Sequence, residues 1–187
     1  MCGRSVSNTP QEVRYINEVL DHFSMRFALS DPEPYTAMTE TFPGSLITAF
    51  DSSEVVPVKW GLRKWDNKGI IINARSETYE SSKFFGFGKS RMIVPVHGYY
   101  EWQKLSGNKK AKHLFTSNDK HGIFIAAVRK GSVLAVITKP AQDNIAHIHD
   151  RMPLFIPTNH VRDWLSGELL VDELSKVYTE LNFRSVA

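Results

Sequence analysis

Arg91-Met92-Ile93-Val94-Pro95-Val96 is followed, after His97 and Gly98, by Tyr99-Tyr100-Glu101-Trp102-Gln103-Lys104-Leu105, and this stretch decides the class of fold. Both halves are short and rich in β-branched or aromatic residues, which marks strands rather than a helix. Side chains alternate across a strand, so Tyr100 and Trp102 are expected to face away from Tyr99 and Glu101.

Similar runs lie on either side. Leu46 to Phe50, Glu54 to Trp60 and Gly69 to Ile72 precede it; His113 to Thr116, Ile123 to Val128, Val133 to Thr138 and Leu154 to Ile156 follow. Gly, Asp, Asn and Ser turns separate them. Asn8-Thr9-Pro10-Gln11-Glu12 opens a helix with a polar cap, a proline in the first turn and an acid, and Val13, Ile16, Leu20 and Phe23 give that helix one apolar face. Ser30 to Met38, with two prolines, reads as an extended connection. Short helices are expected at Ser76, near Pro140 and at Thr158, and a last one from Asp172 to Leu181. Eight or nine strands with peripheral helices predict one α+β domain over 1–187, built on a curved, barrel-like, mostly antiparallel sheet. Strand order does not follow from these patterns.

With 187 residues, 42% hydrophobic and 23% charged, the chain has the composition of a globular protein able to bury its own core. Its net charge of +3 tolerates an anionic partner without demanding one. The single cysteine excludes an intrachain disulfide and agrees with a reducing compartment. No apolar run approaches the ~20 residues that cross a bilayer, and Met1-Cys2-Gly3-Arg4-Ser5 lacks a secretory core. A cytoplasmic protein is expected, monomeric and without a membrane partner.

Five clusters could carry chemistry. Cys2 becomes N-terminal once Met1 is removed, which joins an α-amine and a thiol on one residue. An aldehyde meeting that pair forms a Schiff base, and the thiol then closes a thiazolidine ring. The competing reading is a small buried apolar side chain. His147-Ile148-His149-Asp150-Arg151 concentrates two His, an Asp and an Arg. No acid or Cys cluster elsewhere completes a metal ligand set, so proton transfer by one histidine competes with plain polar loop residues. Glu101 sits amid aromatics, a desolvated setting suited to general acid–base work, unless it is a solvated edge residue. Asn73-Ala74-Arg75-Ser76-Glu77 ends a strand; Asn73 can orient a polar group and Arg75 can hold a phosphate, though capping residues look the same. Arg4, Lys64, Arg75, Arg91 and Arg151 interleave with Trp60, Trp65, Phe84, Phe85 and Phe87. Such mixtures suit single-stranded nucleic acid, although aromatics are more often core residues.

The clusters occur in a fixed order. Met1-Cys2-Gly3-Arg4, Trp60-Gly61-Leu62, Asn73-Ala74-Arg75-Ser76-Glu77, Gly98-Tyr99-Tyr100-Glu101-Trp102 and His149-Asp150-Arg151-Met152-Pro153 together closely resemble the SRAP family (SOS-response-associated peptidase domain) in its bacterial single-domain layout. The resemblance runs from Met1 to about Trp164. It implies a barrel-like α+β fold, a basic groove for single-stranded DNA and no cofactor. It also implies that Cys2 forms a stable thiazolidine link to abasic sites. Carried over by motif, Cys2 is the nucleophile, Asn73 positions the N-terminus or the opened sugar, Glu101 is the acid–base group and His149 shuttles protons. Arg4 and Arg75 are expected to hold phosphates, with Trp65 and Arg151 also on the DNA side. Two departures touch that side: Glu40-Thr41-Phe42-Pro43-Gly44 lacks the family's usual Asn, and Arg63-Lys64-Trp65 replaces a usual proline.

The leading expectation is therefore a shield of abasic single-stranded DNA that cross-links itself through Cys2, with weak lyase activity from the same Schiff base. A thiol-dependent peptidase that removes its own Met1, and a non-covalent single-strand-binding module, are the competing readings.

Overall fold

The computed structural model describes residues 3–23, 39–64, 66–82, 90–118 and 121–186. After β1 (Ser5–Val6), the backbone N–H of Thr9 donates to the Glu12 carboxylate at 2.7 Å, and Glu12 N–H donates back to Thr9 Oγ1 at 3.3 Å. This reciprocal cap starts α1 (Pro10–His22), whose Val13, Ile16 and Leu20 are buried on one face. Next come β2 (Glu40–Thr41), β3 (Leu46–Phe50), β4 (Val55–Trp60), β5 (Leu62–Arg63), β6 (Ile70–Ile71) and β7 (Asn73–Arg75). The long strands follow: β8 (Ser90–Val96), β9 (Gly98–Lys104), β10 (Lys110–Ser117), β11 (Ile123–Lys130) and β12 (Val133–Pro140). The chain ends with α2 (Asp143–Ala146), β13 (Arg151–Pro153), α3 (Val161–Ser166), α4 (Val171–Ser175) and β14 (Leu181–Val186).

Five of these strands close on themselves. β11 pairs with β8, β8 with β3, β3 with β4, β4 with β12, and β12 returns to β11. Every pairing in the ring is antiparallel except β4 with β12. The fold is thus the expected α+β, barrel-like, mostly antiparallel one. The ring's wall is buried on both faces. One face joins α1, α3 and α4 in a cluster containing Phe50, Ile93, Val128, Ile137 and Trp164. The other joins Trp60, Met92, Ile125 and Leu134 with Tyr99 and Phe115 from a second sheet. Double burial explains why Ile123–Val128 is apolar at every position rather than every other one.

The second sheet, in the order β14-β10-β9-β1-β2, is open and antiparallel throughout. Gly98 lets β8 lead straight into it. A Cβ at that position would sit 2.3 Å from the Phe115 carbonyl oxygen of β10, so only glycine permits the approach. Gly61, at φ +118°, turns β4 into β5 in a conformation L side chains rarely adopt.

Four expectations need correction. The strand expected from Gly69 to Ile72 is only the two-residue β6, paired with β5, and a separate strand, β7, begins at Asn73 and runs parallel to β12. No helix begins at Ser76: its N–H donates to Thr138 O at 2.8 Å, which continues the β7 pairing, and the chain then turns through residues 76–81. The strand expected at Leu154 to Ile156 lies at β13 instead, leaving Phe155 in an isolated bridge to Ile125. Finally, the last helix stops at Ser175 and Leu181 opens β14. Lys139 Nζ takes the carbonyls of Ser175 and Val177, at 3.1 and 2.6 Å, and so ends α4. The connection at Ser30 to Met38 lies outside the described residues, as do Phe84, Phe85 and Phe87.

Candidate functional site

β9 alternates as its sequence requires. Tyr99 is buried and stacks on Phe115 at 4.9 Å, and Glu101, two residues on, is only 4% exposed. The turn after α2 brings His149 over this carboxylate, with Nε2 3.9 Å from Glu101 Oε1. The Arg151 backbone N–H donates to His149 Nδ1 at 3.0 Å. Nδ1 therefore accepts in the neutral ring, and the Nε2 proton faces Glu101. The exposed Asp150 carboxylate stands 2.8 Å from the same Nδ1, ready to accept its proton when the ring is charged. A carboxylate and an imidazole so arranged can exchange a proton with a group bound between them.

The N-terminal segment lies beside this pair. Ser5 is level with Tyr99, and Tyr100 N–H donates to Arg4 O at 3.0 Å, so the antiparallel register leads back from β1 in the direction of Glu101. Cys2 itself lies outside the described residues.

The opposite face of β9 carries a different chemistry. Arg4 lies over the rings of Phe42 and Trp102, at 4.7 and 4.8 Å from their centroids. Lys112 of β10, level with Trp102, lies 3.8 Å over the Tyr100 ring. Both cations also meet Glu40, Lys112 through a short ion pair and Arg4 at 3.2 Å. The hydrogen bond from Lys112 chiefly holds the Glu40 carboxyl below the usual carboxylate range, with charge from Lys112 and Arg4 adding to it. Cations stacked on partly exposed aromatics suit unpaired bases and their phosphates. Lys112 was not among the sequence candidates. Its signal was the hairpin register, in which Lys112 falls opposite Trp102.

Asn73 and Arg75 stand on β7, across β12 from the β13 strand that follows His149. Asn73 is half-buried and Arg75 exposed. Arg151 is placed otherwise than a phosphate contact would be. It is 9% exposed, and its guanidinium forms a two-pronged ion pair with Glu77. It also donates to Thr138 O at 2.6 Å and Thr138 Oγ1 at 3.2 Å. The Arg151 hydrogen bond is the main reason that the Glu77 carboxyl is pulled down to about 2. Arg151 thus clamps β13 to the exit of β7, and Trp65 lies outside the described residues. Among the described residues no group of three or more His, Cys, Asp or Glu could hold a metal, and no helix is long and apolar enough to cross a membrane.

Fold and site together define an α+β barrel protein in which a buried carboxylate faces a half-buried histidine beside β1. The family model for SOS response associated peptidase (SRAP) matches residues 1–186, and the chain belongs to that family. It is 28% identical to the abasic site processing protein YedK of Escherichia coli, over 95% of this chain and 85% of that one. It is 24% identical to the abasic site processing protein YoaM of Bacillus subtilis, over 89% and 79%. Among solved structures, a Bacteroides thetaiotaomicron protein superposes with a TM-score of 0.73 at 17% identity, covering 100% of this chain and 92% of that one. A Bordetella bronchiseptica protein does so at 0.71 and 19%, covering 100% of both. These likenesses bear on the fold alone.

Proposed function

We propose that this protein processes abasic sites in single-stranded DNA and captures the sugar aldehyde covalently through Cys2 after Met1 is removed. The observation that carries the reading is the approach of half-buried His149 to buried Glu101, at 3.9 Å, beside the segment that leads to the N-terminus. Membership of a family whose relatives are named for abasic site processing supports it.

The chemistry balances without a cofactor. The Cys2 α-amine adds to C1′ of the opened sugar, and the carbinolamine loses water to give an imine. Glu101 and His149 supply and remove the protons of ring opening and dehydration. The thiol then adds to the imine carbon while its proton passes to the nitrogen, closing the thiazolidine. Asn73 orients the amine or the opened sugar, and Arg75 holds a flanking phosphate. Arg4, Phe42, Tyr100, Trp102 and Lys112 offer the strand rings and charge. Loss of a C2′ proton from the imine, with cleavage of the C3′–O bond and departure of the 3′-phosphate, gives the slow lyase reaction.

Denaturing electrophoresis with intact-mass analysis tests the proposal. Met1-processed protein is mixed with single-stranded DNA carrying one abasic site. A boiling-resistant band at protein-plus-DNA mass is expected, absent with intact DNA and with Cys2→Ala. No such band from protein verified to have lost Met1 would overturn the reading, as would an equally stable adduct from Cys2→Ala.

A further inference from the structure

β10 places His113 directly opposite Glu101, so the two side chains share one face of the sheet. His113 is only 8% exposed. Its Nε2 meets Gln103 Oε1 at 3.2 Å, while its Nδ1 is buried without a hydrogen-bond partner among the described residues. Gln103 lies two residues after Glu101, on that same face. Its amide Nε2 donates to the His147 carbonyl at 3.3 Å. His147 opens the turn that carries His149.

The polarity of these contacts is fixed at each step. The His147 carbonyl only accepts, so Gln103 must present its NH2 there and its oxygen toward His113. That oxygen also only accepts, so His113 must carry its proton on Nε2. A neutral ring with a bare Nδ1 satisfies this, and burial, aided by the positive charge that His147 can take, lowers the pKa of His113 in the same sense. The Phe183 ring packs 6.1 Å from His113 and 5.9 Å from His147, closing the arrangement from the β14 side.

We infer that His113 and Gln103 form a positioning relay that sets where His149 stands over Glu101. Neither touches the reacting atoms. They tie the turn bearing the imidazole to the strand opposite the carboxylate, so that the two halves of the acid–base pair keep their separation. The inference rests on the proposed role of that pair.

Gln103→Glu keeps the side-chain shape and still accepts from His113, but it sets a carboxylate against the His147 carbonyl. His113→Leu removes the donor to Gln103; His113→Gln restores an N–H near the lost Nε2. Single-turnover adduct formation at saturating abasic DNA is expected to slow about tenfold to hundredfold in Gln103→Glu and His113→Leu, with unchanged affinity for intact single strands. His113→Gln is expected to recover most of the rate. The His149 ring titration, followed by NMR without DNA, is expected to shift in the first two variants and return in the third. Wild-type rates and an unmoved His149 titration in folded Gln103→Glu would overturn the relay. Should Gln103→Glu fail to fold, Gln103→Met removes the same donor without adding charge, and the same outcomes decide. A wild type that forms no adduct would sink the abasic-site reading instead, while the DNA-free titration would still decide the relay.

Discussion

The closed ring and the open sheet bury their strands differently. In the ring, Ile123–Val128 is buried at every position because helices cover one face and the second sheet covers the other. In the open sheet, β9 buries Tyr99 and Glu101 and turns Tyr100 and Trp102 outward beneath Lys112 and Arg4. The ring buries more apolar side chains than the open sheet does, while the open sheet supplies Glu101 and the basic-aromatic face, and the turn after α2 supplies His149. A strand with one free face can present chemistry; a strand buried twice can only hold position.

Substitutions can break or sharpen that division. The largest effect is expected on the ring side. Trp164 is fully buried and donates from Nε1 to Met92 O at 3.0 Å. Trp164→Ala should lose about 3–5 kcal/mol in denaturant unfolding, with adduct formation per folded molecule unchanged. A stable Trp164→Ala protein that loses only its chemistry would erase the distinction. On the sheet side, Glu101→Gln is expected to slow adduct formation about a hundredfold with little change in melting. A rate near wild type would remove Glu101 from the mechanism.

Trp102→Ala tests the outer face alone. Affinity for single-stranded DNA should fall by about 1–3 kcal/mol in a fluorescence titration, while the adduct rate at saturating DNA stays put. A changed saturating rate with unchanged affinity would tie the outer ring to the chemistry instead. The smallest effect belongs to the clamp of β13 on the exit of β7. The Glu77 carboxyl is depressed from 4.5 to about 2, so its contribution is complete above pH 4.5 and fades as the pH falls toward about 2. Glu77 is 46% exposed, and solvent screening keeps the effect below about 1 kcal/mol. Melting temperatures of wild type and Glu77→Gln should therefore differ at neutral pH and converge in acid; a constant gap would show that charge is not the cause.

The ring was the more legible region. Leu46–Phe50 falls on its expected bounds because β-branched and aromatic residues leave little choice of conformation. β1, β2 and β5 have only two residues each, too few to show any alternation. The last helix is expected to run on to Leu181, and β14 is not expected at all, because the signals that end α4 are distant: a lysine from β12 and an open edge on β10. The site divides in the same way. Glu101 and the His147–Asp150 run announced themselves by residue type, yet their meeting depends on a turn folding across β9. Arg151 looked like a phosphate ligand because its partner, Glu77, lies 74 residues away. No local pattern reports such a pairing.

The pairing of β1 with β9 also makes the N-terminal segment a ruler. Ser5 is locked level with Tyr99, so the spacing between Gly3 and Ser5 sets how far Gly3 reaches along β9. One residue inserted between Gly3 and Arg4 would lengthen that reach by about 3.3 Å, more than a hydrogen bond spans. Every side chain around Glu101 could then remain in place while Gly3 overshot it. The spacing of these residues is thus as much a part of the local geometry as their identity.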